Sequence, residues 1–186
     1  MAPPPGNTAQ GGLPPWAVVT PARAAHVGRV VALLDQWAIA AHLDPAERDR
    51  WLRAGWLHDA LRDADETTLR ALVPGSTDPL PFLHGPAAAA RAAELDESDA
   101  EVLSAVRWHT IGHAAWGATG RALYAADFLE PGRPFAQEER ASLAAAYPSD
   151  PHGTLVRVVS MRSAHQQGKG RREHPMSAAF RAALLP

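Results

Sequence analysis

From Pro21 onward the apolar residues recur at intervals of three and four, and no run of alternating β-branched residues argues for a strand, so the pattern predicts an all-α chain. Val27, Val30, Val31, Leu34 and Ala38 form one stripe of a first helix, with His26 one turn before Val30 at the edge of that face. Asp44, Pro45 and Glu47 provide a cap, a first-turn proline and a carboxylate for a second helix, which runs through Trp51, Leu52 and Trp56 to Asp59. The stretch "VPGSTDPLPF" separates a short third helix from a fourth beginning around Pro86, which leaves His84 at a helix entrance. Ser98 and Glu101 read as a capping box for a fifth helix, with Val102, Val106 and His109 on one side. The segment "GRALYAADFLEP" is a sixth, and helices over about 136–147, 151–167 and 176–185 follow, with "GKGRREHP" as the last connector. The expected architecture is one helical bundle of about eight to nine helices over 21–186. The Pro- and Gly-rich residues 1–20 read as a disordered tail rather than an export signal.

Several ionisable residues interrupt this apolar pattern. "AGWLHDALRD" places His58 and Asp59 in a run of Trp, Leu and Ala, and Asp127 stands in the almost uncharged "LYAADFLEP". His26, His58, Asp59, His84, His109 and Asp127 each fall on an inward face or at a helix end. Burying so many ionisable groups unpaired costs several kcal/mol each, a cost that a bound cation removes. A His-Asp pair alone carries no information; the placement of all six does. Nitrogen and oxygen donors without sulfur, more than one tetrahedral zinc needs, suit two octahedral first-row metal ions sharing a carboxylate, with Asp59 as the natural bridge.

The 186 residues, 46% hydrophobic, suffice for one domain with a real core. A formal charge of −2 with well-mixed signs supplies no field to recruit nucleic acid or a membrane surface. No segment approaches the roughly 18 apolar residues of a membrane span. With no cysteine there is neither a disulfide framework nor a thiolate metal site, which fits a reducing cytoplasm. The oligomeric state is open, a homodimer included.

The order H…HD…H…H…D resembles that of the HD-domain metal-dependent phosphohydrolases. More narrowly, "AGWLHDALRD", "FLHGPAAAA", "VRWHTIG", "LYAADFLEPGR" and "GRREHPMSAAF" are similar to the bacterial symmetrical bis(5'-nucleosyl)-tetraphosphatases of the YqeK type, over about residues 21 to 186. That resemblance implies a helical di-iron enzyme splitting diadenosine tetraphosphate into two ADP. It implies His26, His58, Asp59 and Asp127 around one metal, with Asp59, His84 and His109 around the other. Iron is the expected metal, although manganese, cobalt and nickel also accept these donors. Two departures stand out: Arg62 where a lysine is usual after the HD, and "HAAWGATGRA" in place of a Met- and Lys-containing stretch.

Two cations about 3.5 to 4 Å apart ionise a water held between them and offset phosphoryl charge, so a metal-bridging hydroxide is the expected nucleophile. No P-loop is present. The polyphosphate is therefore expected to rest on the metals and on Arg62, Arg107 and Arg133, with Thr110 and Gly112 as further donors; Asp59 and Arg62 are the catalytic candidates. Each arginine is otherwise an ordinary surface partner. His42, His152 and His165 read as surface residues. His113 and His174 either line a ligand cleft or serve as capping or exposed residues. Trp51 and Trp56 read as packing, while Trp108 and Trp116 either pack or stack on a nucleobase. Gly55 is read as permitting close approach of the first helix. The competing functions are a mononucleotide phosphatase on the same scaffold and a nucleotide sensor without turnover.

Overall fold

The computed structural model describes residues 12–168, 170 and 172–185; residues 1–11, the larger part of the expected tail, lie outside them. Among the described residues there are nine α-helices and no strand, as the apolar spacing predicts. They are α1 (Pro21–Ala40), α2 (Pro45–Leu57), α3 (Glu66–Leu72), α4 (His84–Glu94), α5 (Ala100–Trp108), α6 (Ala118–Leu129), α7 (Gln137–Ala146), α8 (Pro151–Gly168) and α9 (Pro175–Leu184), with a 3-10 turn at Leu80–Phe82 before α4. None is long and apolar enough to cross a membrane.

The predicted stripe of α1 is buried from Val27 to Ala38. It packs on α2 at Gly55, where a Cβ would come within 2.9 Å of both Val31 and Leu34. The absent side chain is what lets these helices approach. Asp44 caps α2 through the amides of Ala46 and Glu47. The helix stops at Leu57, two residues sooner than expected: His58 is its C-cap, and the chain turns through residues 58–63. α6 is buried along most of its length, between α5, α2, α1 and α8.

Two local expectations are corrected. The α5 cap is Asp99, whose Oδ1 accepts from Glu101 N and Val102 N, rather than a Ser98–Glu101 box. Arg50 from α2 holds Asp99 in place at 2.8 Å, and Glu101 instead accepts from the Thr119 hydroxyl at the start of α6. Residues 12–20 are not a free tail. Val18 N donates to Ala60 O at 2.7 Å, Asp63 N donates to Val18 O at 3.2 Å, and Thr20 N donates to Asp63 Oδ2 at 2.7 Å, so this strap braces the turn that carries Asp59. Of the two readings open for Trp116, packing holds: it is buried against Tyr124 and Phe180.

Two struts fix the far side of the molecule. The buried Arg140 of α7 donates to the carbonyls of Phe128, Glu130 and Arg133, tying down the loop after α6. Phe180 of α9 packs over Gly112, whose φ of +84° and lack of Cβ leave room for the ring. The Ser177 hydroxyl donates to Ile111 O at 2.7 Å, so α9 is locked onto the turn that follows α5.

Candidate metal centre

The six residues singled out in the sequence are all buried, and five helix ends or faces bring them together. The last turns of α2 and α5 orient two of them. Helix ends leave carbonyls without intrahelical partners, and His58 Nδ1 donates to Gly55 O at 2.7 Å while His109 Nδ1 donates to Val106 O at 2.8 Å. A carbonyl accepts only, so each Nδ1 carries the proton and each Nε2 presents a lone pair inward. His84, the first residue of α4, brings its Nε2 within 3.0 Å of His109 Nε2.

Asp59 lies at the centre. Its Oδ1 is 3.3 Å from His84 Nε2 and 3.4 Å from His109 Nε2, and its Oδ2 is 3.7 Å from both His26 Nε2 and His58 Nε2. Two donor groups result, His26 with His58 and Asp59, and Asp59 with His84 and His109, each with its donor atoms within 4.8 Å of one another. Asp127 joins the first side through Oδ1, 3.2 Å from His26 Nε2. The buried Nε2 atoms of His26 and His58 have no hydrogen-bond partner of acceptable geometry. Imidazole and carboxylate donors converging without sulfur fit divalent transition-metal ions, and the orphaned Nε2 of His58, an imidazole that burial keeps neutral, fits a metal better than a proton.

The electrostatics follow from burial and the local carboxylates. Burial pushes the His58 imidazole down to about 4 and lowers that of His84. For His26 burial acts downward too, but the neighbouring carboxylates of Asp127, Glu130 and Asp59 outweigh it and raise the group to about 9. Burial would raise the Asp59 carboxyl, yet the His58, His109 and His84 imidazoles hold it well below the usual carboxylate range. Asp127 is likewise held low, against burial, by Arg133, His26 and Arg162.

Residues that the sequence did not reveal complete the site. Glu130, fully buried, places Oε1 3.1 Å from His26 Nδ1, and its Oε2 accepts from Arg29 Nε at 2.5 Å and Gly132 N at 2.7 Å. Such a carboxylate sets the tautomer and orientation of a ligating imidazole. Glu130 sits within "DFLEPGR", where its distance of three residues from Asp127 is the one local signal. Arg162 from α8 donates to Asp127 Oδ2 at 3.3 Å and to Thr110 O at 3.2 Å. Arg23 donates to Asp59 Oδ2 at 2.8 Å. Nothing in the local sequence marks Arg23 or Arg162, because their partners are 36 and 35 residues away.

A cavity of about 760 Å³ opens in front of the centre. Arg62, Thr110, Arg133 and Arg162 line it, while the six ligand candidates lie one layer deeper. Thr110 Oγ1 stands 3.3 Å from His84 Nε2 and 3.2 Å from His109 Nε2, so it marks where cavity and cluster meet. Arg133 donates to Asp127 Oδ1 at 2.6 Å. Of the other expected contacts, Arg107 is exposed, lies outside the cavity and sits over the Trp108 ring, which itself stacks on His113. Gly112 N already donates to Trp108 O at 2.8 Å, so that amide is committed to the turn. His113 Nδ1 accepts from Ala115 N, a capping role. His174 both caps α9 and lines the cavity.

The HD domain family matches residues 23–145, the segment that holds all six ligand candidates. The chain belongs to the HD-domain family. It is thereby one of the HD hydrolases, a superfamily of metal-dependent phosphohydrolases, and the His/Asp cluster is the feature of this HD protein that suits metal binding. Its fold is similar to a crystal structure described as a predicted HD superfamily hydrolase involved in NAD metabolism from Clostridium acetobutylicum, with a TM-score of 0.74 and 20% identity over 89% of this chain and 90% of that one. No curated protein sequence matches.

Proposed function

We propose that this HD protein is a dinuclear-metal hydrolase of dinucleoside polyphosphates, cleaving diadenosine tetraphosphate to two ADP. The observation that carries the reading is the two-sided exposure of Asp59, one oxygen toward His84 and His109 and the other toward His26 and His58. A carboxylate so placed would hold two cations at once. When bound, the cations supply a nucleophilic water at neutral pH and neutralise phosphoryl charge. The donor set suits iron, with manganese, cobalt or nickel as substitutes.

The chain's own groups do the rest. Arg62, Arg133 and Arg162 present guanidinium donors to the cavity, suited to bidentate contact with phosphate oxygens. Arg133 and Arg162 also hold the Asp127 carboxylate in one orientation. Thr110 offers a hydroxyl at the boundary between cluster and cavity. The ligand is a small-molecule nucleotide; nucleic acid and membrane partners have no basic surface field to meet them, and a cytoplasmic location agrees with the absence of cysteine.

Metal-loaded protein incubated with diadenosine tetraphosphate tests this reading, with products resolved by ion-exchange chromatography. Two ADP per substrate is the expected result. Inorganic phosphate released from mononucleotides, with the dinucleotide untouched, would move the assignment to a mononucleotide phosphatase. Tight dinucleotide binding without product under every metal tried would make the protein a sensor.

A further inference from the structure

The family match ends at residue 145, yet more than half of the residues lining the cavity lie beyond it, in α8, α9 and the connector between them. The metal side of the cavity thus belongs to the common HD segment and the facing wall to the C-terminal helices. α9 is fixed on the turn bearing Thr110 by the Ser177 to Ile111 bond and by Phe180, so this wall has a set position relative to the cluster.

The two walls meet in two layers. The inner layer is Arg133, from the loop after α6, and Arg162, from α8, which take the two oxygens of Asp127 at 2.6 and 3.3 Å. The outer layer is Phe135 from the same loop and His165 from the same helix, whose rings stack at 4.9 Å with planes 9° apart. Residues 162 and 165 are three apart on one helix and therefore neighbours on its face. An anion-binding pair and a flat ring pair stand side by side, as the phosphate and base of one nucleotide do. Phe135 is backed by the Arg140 guanidinium 5.1 Å from its ring, while His165 is exposed and lines the cavity. The other ring pairs of the cavity, Phe82 with His174 and Phe128 with Phe135, are tilted by 59° and 66° and present no common plane.

We propose that the Phe135–His165 pair is the platform on which a nucleobase of the substrate stacks, so that the α8–α9 unit reads the nucleoside while the HD segment handles the phosphates. The inference rests on the reading of the ligand as a nucleotide, but not on which anhydride is cleaved.

The test compares the affinities of ADP and inorganic pyrophosphate for the metal-loaded full chain by titration calorimetry. Wild type binds ADP more tightly than pyrophosphate. His165→Ala and Phe135→Leu each weaken ADP by about tenfold and change pyrophosphate by less than about twofold, whereas His165→Tyr restores ADP binding. His165 is exposed, so its replacement leaves the core intact even if Phe135→Leu does not fold. Equal weakening of both ligands, or of neither, overturns the platform. So does a wild-type protein that binds ADP no better than pyrophosphate, and that result stands whether or not diadenosine tetraphosphate is cleaved.

Discussion

Glu130 Oε1 stands 3.1 Å from Nδ1 of His26, and the opposite nitrogen of that imidazole faces Asp127 at 3.2 Å. The buried carboxylate thus decides which nitrogen of His26 is offered to a cation. Burial would raise the Glu130 carboxyl, but His26, Arg29 and the Gly132 amide bring it down to about 2, so it is ionised at any working pH.

Replacing it with the uncharged isostere should weaken the site without emptying it. Glu130→Gln is expected to lower metal affinity by about 10- to 100-fold, the range for groups that orient a ligating histidine. Competition with a chromophoric chelator measures the change, and an affinity equal to wild type would contradict the role.

The entrance of α4 is a second sensitive point. A Cβ on Gly85 would come within 2.9 Å of the carbonyls of Val106 and Arg107 and 3.1 Å of His109 Nδ1. Gly85→Ala should therefore push α4 off α5, separate His84 from His109, and cost about 1–3 kcal/mol. Thermal melts and metal analysis together check it: a lower Tm with loss of one metal equivalent is expected, and an unchanged metal content would place the contact outside the site.

Much of the fold and site is legible along the chain, and some of it is not. The α1 stripe and the Asp44 cap can be read because local spacing and capping chemistry determine them. The six ligand candidates stand out because an ionisable group in an apolar run is costly to bury unless something pairs with it. The capping-box pattern favours Ser98 over Asp99, since it calls for a hydroxyl three residues before a glutamate; the deciding contact, Arg50 across from α2, is 49 residues away. Arg162 is illegible on the same ground, its partners being Asp127 and Thr110 on other elements. Trp116 is ambiguous in the sequence because its partner Phe180 comes from the last helix.

Gly112 separates backbone strain from crowding. With φ at +84° and Phe180 directly over the missing Cβ, Gly112→Ala should destabilise by about 2–4 kcal/mol. Adding Phe180→Leu relieves the contact but not the positive φ, so the double variant should cost less than the sum of the two single ones. Chemical denaturation gives these values, and strict additivity would show that the ring does not depend on the glycine.

The metal-free protein should show the signature of His26 in its stability. A histidine raised from 6.5 to about 9 contributes stability that is fully present below about pH 6.5 and is lost as pH rises through 9. In chelator, Tm is therefore expected to fall between these limits, and His26→Asn should flatten that slope. His58, lowered to about 4, acts in the opposite direction: its share is lost as pH falls from 6.5 toward 4. A wild-type Tm profile that matches His26→Asn throughout the alkaline range would refute the assignment.

The shared carboxylate is the point on which the functional reading turns, and metal counting addresses it most directly. Elemental analysis of purified, metal-reconstituted protein should give two equivalents per chain for wild type, near zero for Asp59→Ala, and one for His84→Ala. Asp59→Ala retaining its metal at the wild-type level would contradict the account.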